Sequence, residues 1–336
     1  MTHKIQELKA KGIINHESAE LLEEYSQRLI ANNVPVIYNL RHLRFLLSIK
    51  KKMQYKYFGT DRKRSYRVFY IPKKSGGFRK IEAPSQELEL IQRWIKSNIL
   101  EKFHVAENAT GFKKNTSIVD NATCHCNKKY VLNMDIQNFF PSINYSRVFK
   151  LFNYIGYNKE VCHLLTQLCT NDNNVLPQGA PTSPIISNLV NIKLDKRLSA
   201  FAKSIGGNYT RYADDITISS DTNLHKYIGV VKTIINDEGY IVNDKKTRVS
   251  NSGQKQEVTG LTVNKKLTVN KKIKKELNNA IYFINKFGLV SHMKRIECDK
   301  AMYKEHLFGL AYFVKMVEPE IGNVYLKELN EISWLY

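Results

Sequence analysis

The feature that most constrains this 336-residue chain is Tyr212-Ala213-Asp214-Asp215. Tyr209, Thr210 and Arg211 precede it, and Ile216, Thr217, Ile218 and Ser219 follow. Alternation on both sides predicts a hairpin over 208–219 with the two aspartates at its tight turn. Aspartate is common in turns because its side chain bonds the local backbone, so the pair alone has an ordinary explanation. A second strand, Tyr130–Ile136, begins as apolar Tyr130-Val131-Leu132 and runs into Asn133-Met134-Asp135-Ile136-Gln137-Asn138-Phe139-Phe140. A carboxylate at the mouth of a buried strand is costly unless it is paired or binds a cation.

Together the two elements suggest one chemistry. Nucleotidyl transfer uses two divalent ions about 3.5–4 Å apart, one at the attacking hydroxyl and one at the triphosphate. Mg²⁺ prefers carboxylates and keeps several waters or phosphate oxygens. Asp135 and Asp214 are therefore the expected primary ligands. Asp215, pointing to the other face of the hairpin end, is expected to be a weaker or indirect ligand, and the Ile136 carbonyl to complete the shell.

Around this pair the chain reads as a mixture of helices and short strands. Helical spacing predicts helices over 17–32, capped by Asn15 or Ser18, over 38–50 and over 86–102. Between them, alternation at Tyr66, Val68 and Tyr70, the turn Lys73-Lys74-Ser75-Gly76-Gly77 and Phe78, Lys80, Ile81 predict a hairpin with a basic tip. Helices are expected through 145–170, from near Pro184, over 223–238 and from Lys271 onward. A loop is expected at 171–183, and short strands near 241–250 and 257–263.

Charge points to the partner. Lysine and arginine total 52 against 31 acids, for a net charge of +21 and a pI of about 9.6. The basic residues recur along the chain and interleave with 19 tyrosines and 15 phenylalanines, which suits a polyanion with stackable bases. A hydrophobic fraction of 43% excludes disorder. No run of 18 apolar residues occurs and Met1–Ala10 is polar, so a cytoplasmic protein without signal or membrane span is expected. The five cysteines form no CxxC pair, and Cys124-His125-Cys126 is spaced too tightly for a zinc knuckle. Reduced, structural cysteines are expected.

Asp135-x-x-x-Phe139-Phe140, then Leu176-Pro177-Gln178-Gly179-Ala180-Pro181-Thr182-Ser183-Pro184, then Tyr-Ala-Asp-Asp, in that order, resembles the palm of reverse transcriptases. The resemblance implies an α+β right-hand polymerase: an N-terminal helical region at 1–60, fingers at 61–125, palm with part of the fingers at 126–262, and a helical thumb at 263–336. It implies an RNA-directed DNA polymerase using two Mg²⁺ ions and dNTPs. Phe140 falls at the family's steric gate against a 2′-OH, while Phe139 reads as core. Gln178 and Gly179 fall in the loop bounding the nucleotide pocket, and Arg79 and Lys74 at the triphosphate. Lys246, or Lys245, falls at the palm lysine proposed to protonate pyrophosphate.

Two further strings resemble retron enzymes in particular: Asn121-Ala122-Thr123-Cys124-His125 and Val258-Thr259-Gly260. They imply a structured noncoding RNA as template and partner, priming from a guanosine 2′-OH, a branched RNA–DNA product and a protein effector in antiphage defence. His125 reads as a structural or RNA-positioning residue, and Lys271 to Lys294 with Lys50 to Arg64 as the RNA surface. The rival readings are a non-retron small bacterial reverse transcriptase of another defence system and a non-catalytic RNA-binding scaffold.

Overall fold

The computed structural model describes residues 6–7, 9–49, 57–58, 65–73, 76–297 and 302–334. The chain divides into two compact units.

The first comprises Met1–Lys113, Ile136–Arg197 and Ile234–Ile241. Its N-terminal helix, His16–Ala31, is capped by Asn15, whose side chain accepts from the Ser18 amide. The next helix is shorter than expected, Leu40–Leu46, because the backbone turns left-handed at Ser48. Strands β1 (Tyr66–Pro72) and β2 (Phe78–Pro84) form the expected hairpin, with Tyr66 opposite Pro84 and Pro72 opposite Phe78. Helix Gln86–Asn98 buries Leu88, Ile91, Gln92 and Ile95, one face at the helical period. It ends before the predicted 102: the chain tightens into a single turn at Leu100–Lys102, so that neighbours Ile99 and Leu100 are both fully buried. The stretch 145–170 is two helices, Tyr145–Ile155 and Lys159–Cys169. Gly156 (φ +111°) stops the first, and the Asn158 side chain caps the second by accepting from Val161.

The second unit comprises Lys114–Asp135, Leu198–Thr233 and Val242–Tyr336. Strands β3 (Tyr130–Asp135), β4 (Asn208–Tyr212), β5 (Asp215–Ser220) and β6 (Arg248–Asn251) form an antiparallel sheet in the order β4-β5-β3-β6. A short ribbon, β7 (Glu257–Val258) and β8 (Leu261–Thr262), follows. Helix Ile118–Thr123, which the helical spacing does not reveal, is closed by a capping box between Ser117 and Asp120. Beyond Val269 lie helices Lys271–Phe287, Leu289–Arg295, Tyr303–Val317 and Pro319–Glu331. Leu277, Ala280, Ile281 and Ile284 of the first share a core with Leu307, Ala311 and Val314, and with Tyr325, Leu326 and Leu329. Truncating one such leucine to alanine removes about 2–5 kcal/mol.

Candidate active site

The acidic residues meet because β3 is a central strand. It pairs with β5 in a register that sets Asp135 opposite Asp215. Across β4–β5, Tyr212 pairs with Asp215, leaving Ala213 and Asp214 as a two-residue turn. Two-residue hairpin turns favour a positive φ at the first central position, and Ala213 adopts +58°. Three carboxylates thus gather at one end of the sheet.

Cations answer them. The Lys246 Nζ donates to Asp135 Oδ2 at 2.6 Å, and Asp135 Oδ1 accepts from the Asn243 side chain at 3.3 Å. The Asn243 amide also donates to the Asp135 carbonyl at 2.8 Å. The Lys246 pKa is raised, first by that hydrogen bond and then by the surrounding carboxylate charges. The Asp215 pKa is pushed up to about 6, chiefly by desolvation and then by Asp214 and Asp135, although the residue as a whole is exposed. Lys246 and Arg248 oppose that rise. Arg248 lies opposite Asn133 in the β3–β6 register and donates to its side-chain oxygen at 3.4 Å.

A cleft of about 380 Å³ opens here, lined by Asp135, Asp215, Lys245, Lys246, Arg248 and the Thr259-Gly260 turn, among others. The donors are hard carboxylate oxygens, and an ammonium group already sits on one of them, so the set fits a divalent cation. Among the described residues no three His, Cys, Asp or Glu groups converge closely enough to ligate one ion. The Lys246 ammonium occupies one lone-pair position of Asp135, where a cation bound to Oδ2 would compete with it.

The two short strings found in the sequence form one contact. His125 is fully buried, its Nδ1 2.7 Å from Ser219 Oγ and its Nε2 2.8 Å from Thr210 Oγ1. Burial lowers its pKa to about 3, so the imidazole is neutral. Asn121 donates from Nδ2 to Thr259 Oγ1 at 3.4 Å, and Ala122 shares a hydrophobic cluster with Val131, Val258, Leu261 and Val263. Thr259 takes φ +46°, an outlier for a β-branched residue. Its hydroxyl, donating to the Ile118 carbonyl, ties that turn to the helix beside it.

Most of the remaining sequence-derived residues lie in the first unit. Phe140 is half-buried, edge-on to buried Phe139 and tilted against Phe112 at 6.0 Å. Gly179 has φ +136°, and a Cβ there would lie 2.9 Å from the Glu82 carbonyl. The close approach it permits is thus to β2, whose Glu82 amide donates to the Gln178 carbonyl at 2.9 Å. Arg79 stands on β2 opposite Ile71, Ile136 is buried directly after Asp135, and Lys74 lies outside the described residues. In the second unit, Lys274 is held by both oxygens of Glu318, at 2.9 and 3.0 Å. Lys271, Lys272 and Lys275 are exposed. Asn243, Asn133 and Arg248 were missed by sequence reasoning; only the proximity of Asn243 to Lys246 hinted at it. The four cysteines among the described residues are free thiols. No helix among those residues is long and apolar enough to cross a membrane.

An antiparallel sheet that presents carboxylates from a central strand and an adjacent hairpin turn, opposed by a lysine, is the palm of a template-directed polymerase. The family model for reverse transcriptase (RNA-dependent DNA polymerase) matches residues 71–279. The retron Ec86 reverse transcriptase of Escherichia coli is 34% identical over 276 residues, 81% of this chain and 82% of that protein. The retron Ec83 enzyme of Escherichia coli is 31% identical over 80% of this chain and 90% of its own. The retron Mx65 enzyme of Myxococcus xanthus is 35% identical over 77% of this chain and 63% of its own. A telomerase from Candida albicans superposes with a TM-score of 0.45 at 12% identity, covering 94% of this chain and 60% of that one. The chain belongs to the retron reverse transcriptases, and it is an RNA-directed DNA polymerase.

Proposed function

We propose that this enzyme makes branched multicopy single-stranded DNA. It copies part of its own structured noncoding RNA, primes from the 2′-OH of an internal guanosine, and acts in the cytoplasm in antiphage defence alongside a protein effector. The observation that carries the reading is the contact between the two retron-like strings beside the cleft. Asn121 to His125 and Val258 to Gly260, the two strings that resemble retron enzymes, bond to one another there and to the strands that bear the aspartates.

In this reading the palm is 126–262, with fingers at 61–125, an N-terminal helical region at 1–60 and the thumb at 263–336. Asp135 and Asp214 would hold two Mg²⁺ ions, with Asp215 and the Ile136 carbonyl completing the set. When bound, such ions lower the pKa of the attacking hydroxyl and neutralise the triphosphate. Asn243 orients Asp135 from both its backbone and its side chain. Lys246 keeps its proton on Nζ and gives it to the leaving pyrophosphate, with Lys245 its neighbour in the same cleft. Arg79 and Lys74 take the triphosphate as fixed cations. Gln178 and Gly179 bound the nucleotide pocket, and Phe140 excludes a 2′-OH. Exposed Lys271, Lys272 and Lys275 serve the RNA, which is recognised by shape and phosphate.

The test is to express the gene with its native flanking DNA and extract total nucleic acid. A short, discrete single-stranded DNA that requires Asp214 and shifts on debranching supports the reading. Polymerase activity on a generic primed RNA with no such band removes the branched product and leaves another small bacterial reverse transcriptase.

A further inference from the structure

Arg211 stands three residues before Asp214 and is fully buried. A guanidinium does not lose its proton inside a protein, and burying one is costly unless its hydrogen bonds are satisfied. One of those bonds runs from Nη1 to the carbonyl oxygen of Ala213, at 3.2 Å.

That carbonyl belongs to the peptide leading into Asp214. Ala213 carries φ +58°, a conformation that glycine or asparagine usually supplies in such turns. Tyr212 and Asp215 pair across the strands, so the turn between them consists of Ala213 and Asp214. The direction of its side chain depends on the peptide plane before it.

We propose that Arg211 is a positioning residue for DNA synthesis. Its buried guanidinium locks the Ala213–Asp214 peptide in the left-handed turn and so aims the Asp214 carboxylate. The inference rests on Asp214 being a ligand of the catalytic ions. Arginine suits the task because its planar fork donates in fixed directions while remaining anchored, which a lysine ammonium cannot do. The dependence on Arg211 follows from alanine at position 213. With glycine there, the left-handed conformation carries no Cβ penalty and needs less holding.

The test compares wild type, Arg211→Met, Ala213→Gly and the double variant, with Asp214→Asn as control. Methionine removes the hydrogen bond while filling the buried space with an apolar chain. Single-nucleotide addition on a primed RNA gives kcat and KM, and electron paramagnetic resonance of Mn²⁺ gives ion affinity without turnover. Arg211→Met should lower kcat about 100-fold, the scale of a 1 Å misplacement, with dNTP KM little changed and Mn²⁺ bound more weakly. Adding Ala213→Gly should restore most of both. Wild-type kcat in Arg211→Met, beside an inactive Asp214→Asn, refutes the clamp, as does a loss that glycine does not repair. Substantial activity in Asp214→Asn overturns the ligand reading itself. If Arg211→Met does not fold, Arg211→Gln repeats the comparison. Failure of both to fold makes Arg211 a folding requirement and ends the proposal.

Discussion

Lowering the pH tests the interior of the palm without changing its packing, because His125 is fully buried between Ser219 and Thr210 hydroxyls. A neutral imidazole satisfies both contacts with one donor and one acceptor, since each hydroxyl can rotate to suit. Burial holds the folded pKa near 3, against an ordinary 6.5. Between those values the unfolded chain binds a proton that the folded chain refuses. The contribution is therefore intact above pH 6.5 and is lost progressively as pH falls towards 3. One pKa unit corresponds to about 1.4 kcal/mol, so going from pH 7 to pH 5 costs about 2 kcal/mol through this residue alone. Urea unfolding followed by circular dichroism, on wild type and His125→Gln at pH 7, 6 and 5, isolates this contribution. Glutamine keeps a donor and an acceptor but does not titrate, and the other histidines cancel in the difference. The variant starts less stable at pH 7 and loses about 2 kcal/mol less by pH 5. Parallel pH dependences in the two proteins would refute a buried, neutral His125.

Other expectations follow from the same geometry. Replacing Asp214 and Asp215 together by asparagine abolishes DNA synthesis and leaves RNA binding intact; synthesis near the wild-type rate removes the ligand assignment. Phe140→Ala raises ribonucleotide incorporation relative to deoxynucleotide by about 10–100-fold, and unchanged sugar selectivity in matched single-nucleotide assays removes the gate. Lys246→Ala lowers kcat yet tightens Mn²⁺ binding to the free enzyme, because the ammonium at 2.6 Å no longer competes for Asp135; weaker binding contradicts that competition. Neutralising Lys271, Lys272 and Lys275 to glutamine reduces the slope of log RNA affinity against log salt by about 2, at about 0.7 per single-strand phosphate contact; an unchanged slope places the RNA elsewhere.

What could be seen in the sequence was what local rules determine. The β4–β5 hairpin was legible because alternation has a period of two and its turn has two residues, both written in adjacent positions. The helix at Lys271 was legible because Leu277, Ala280, Ile281 and Ile284 repeat at the helical period. Ile118–Thr123 was not, since six residues are too few to show a period, and only Ser117 with Asp120 marks its start. Gly179 could be placed in a loop from the sequence, but the Glu82 carbonyl its backbone approaches is nearly 100 positions away and beyond any local pattern. The same limit hid Asn243, whose hold on Asp135 exists only once β3 lies beside the chain leading into β6.

That distinction explains why the two retron-like strings look so weak when read singly. Asn121 and Thr259 are 138 positions apart, yet they form one hydrogen bond, and Ala122 and Val258 share one cluster. Each string is half of a contact, so neither carries enough residues to be distinctive alone. The strained Thr259 turn lines the cleft that also holds Asp135 and Lys246, while His125 bonds the same strands, β4 and β5, that the catalytic turn connects. A substitution at Asn121 therefore acts at two distances. It loosens the Thr259 turn at the cleft directly, and it disturbs the sheet through the helix that leads to His125.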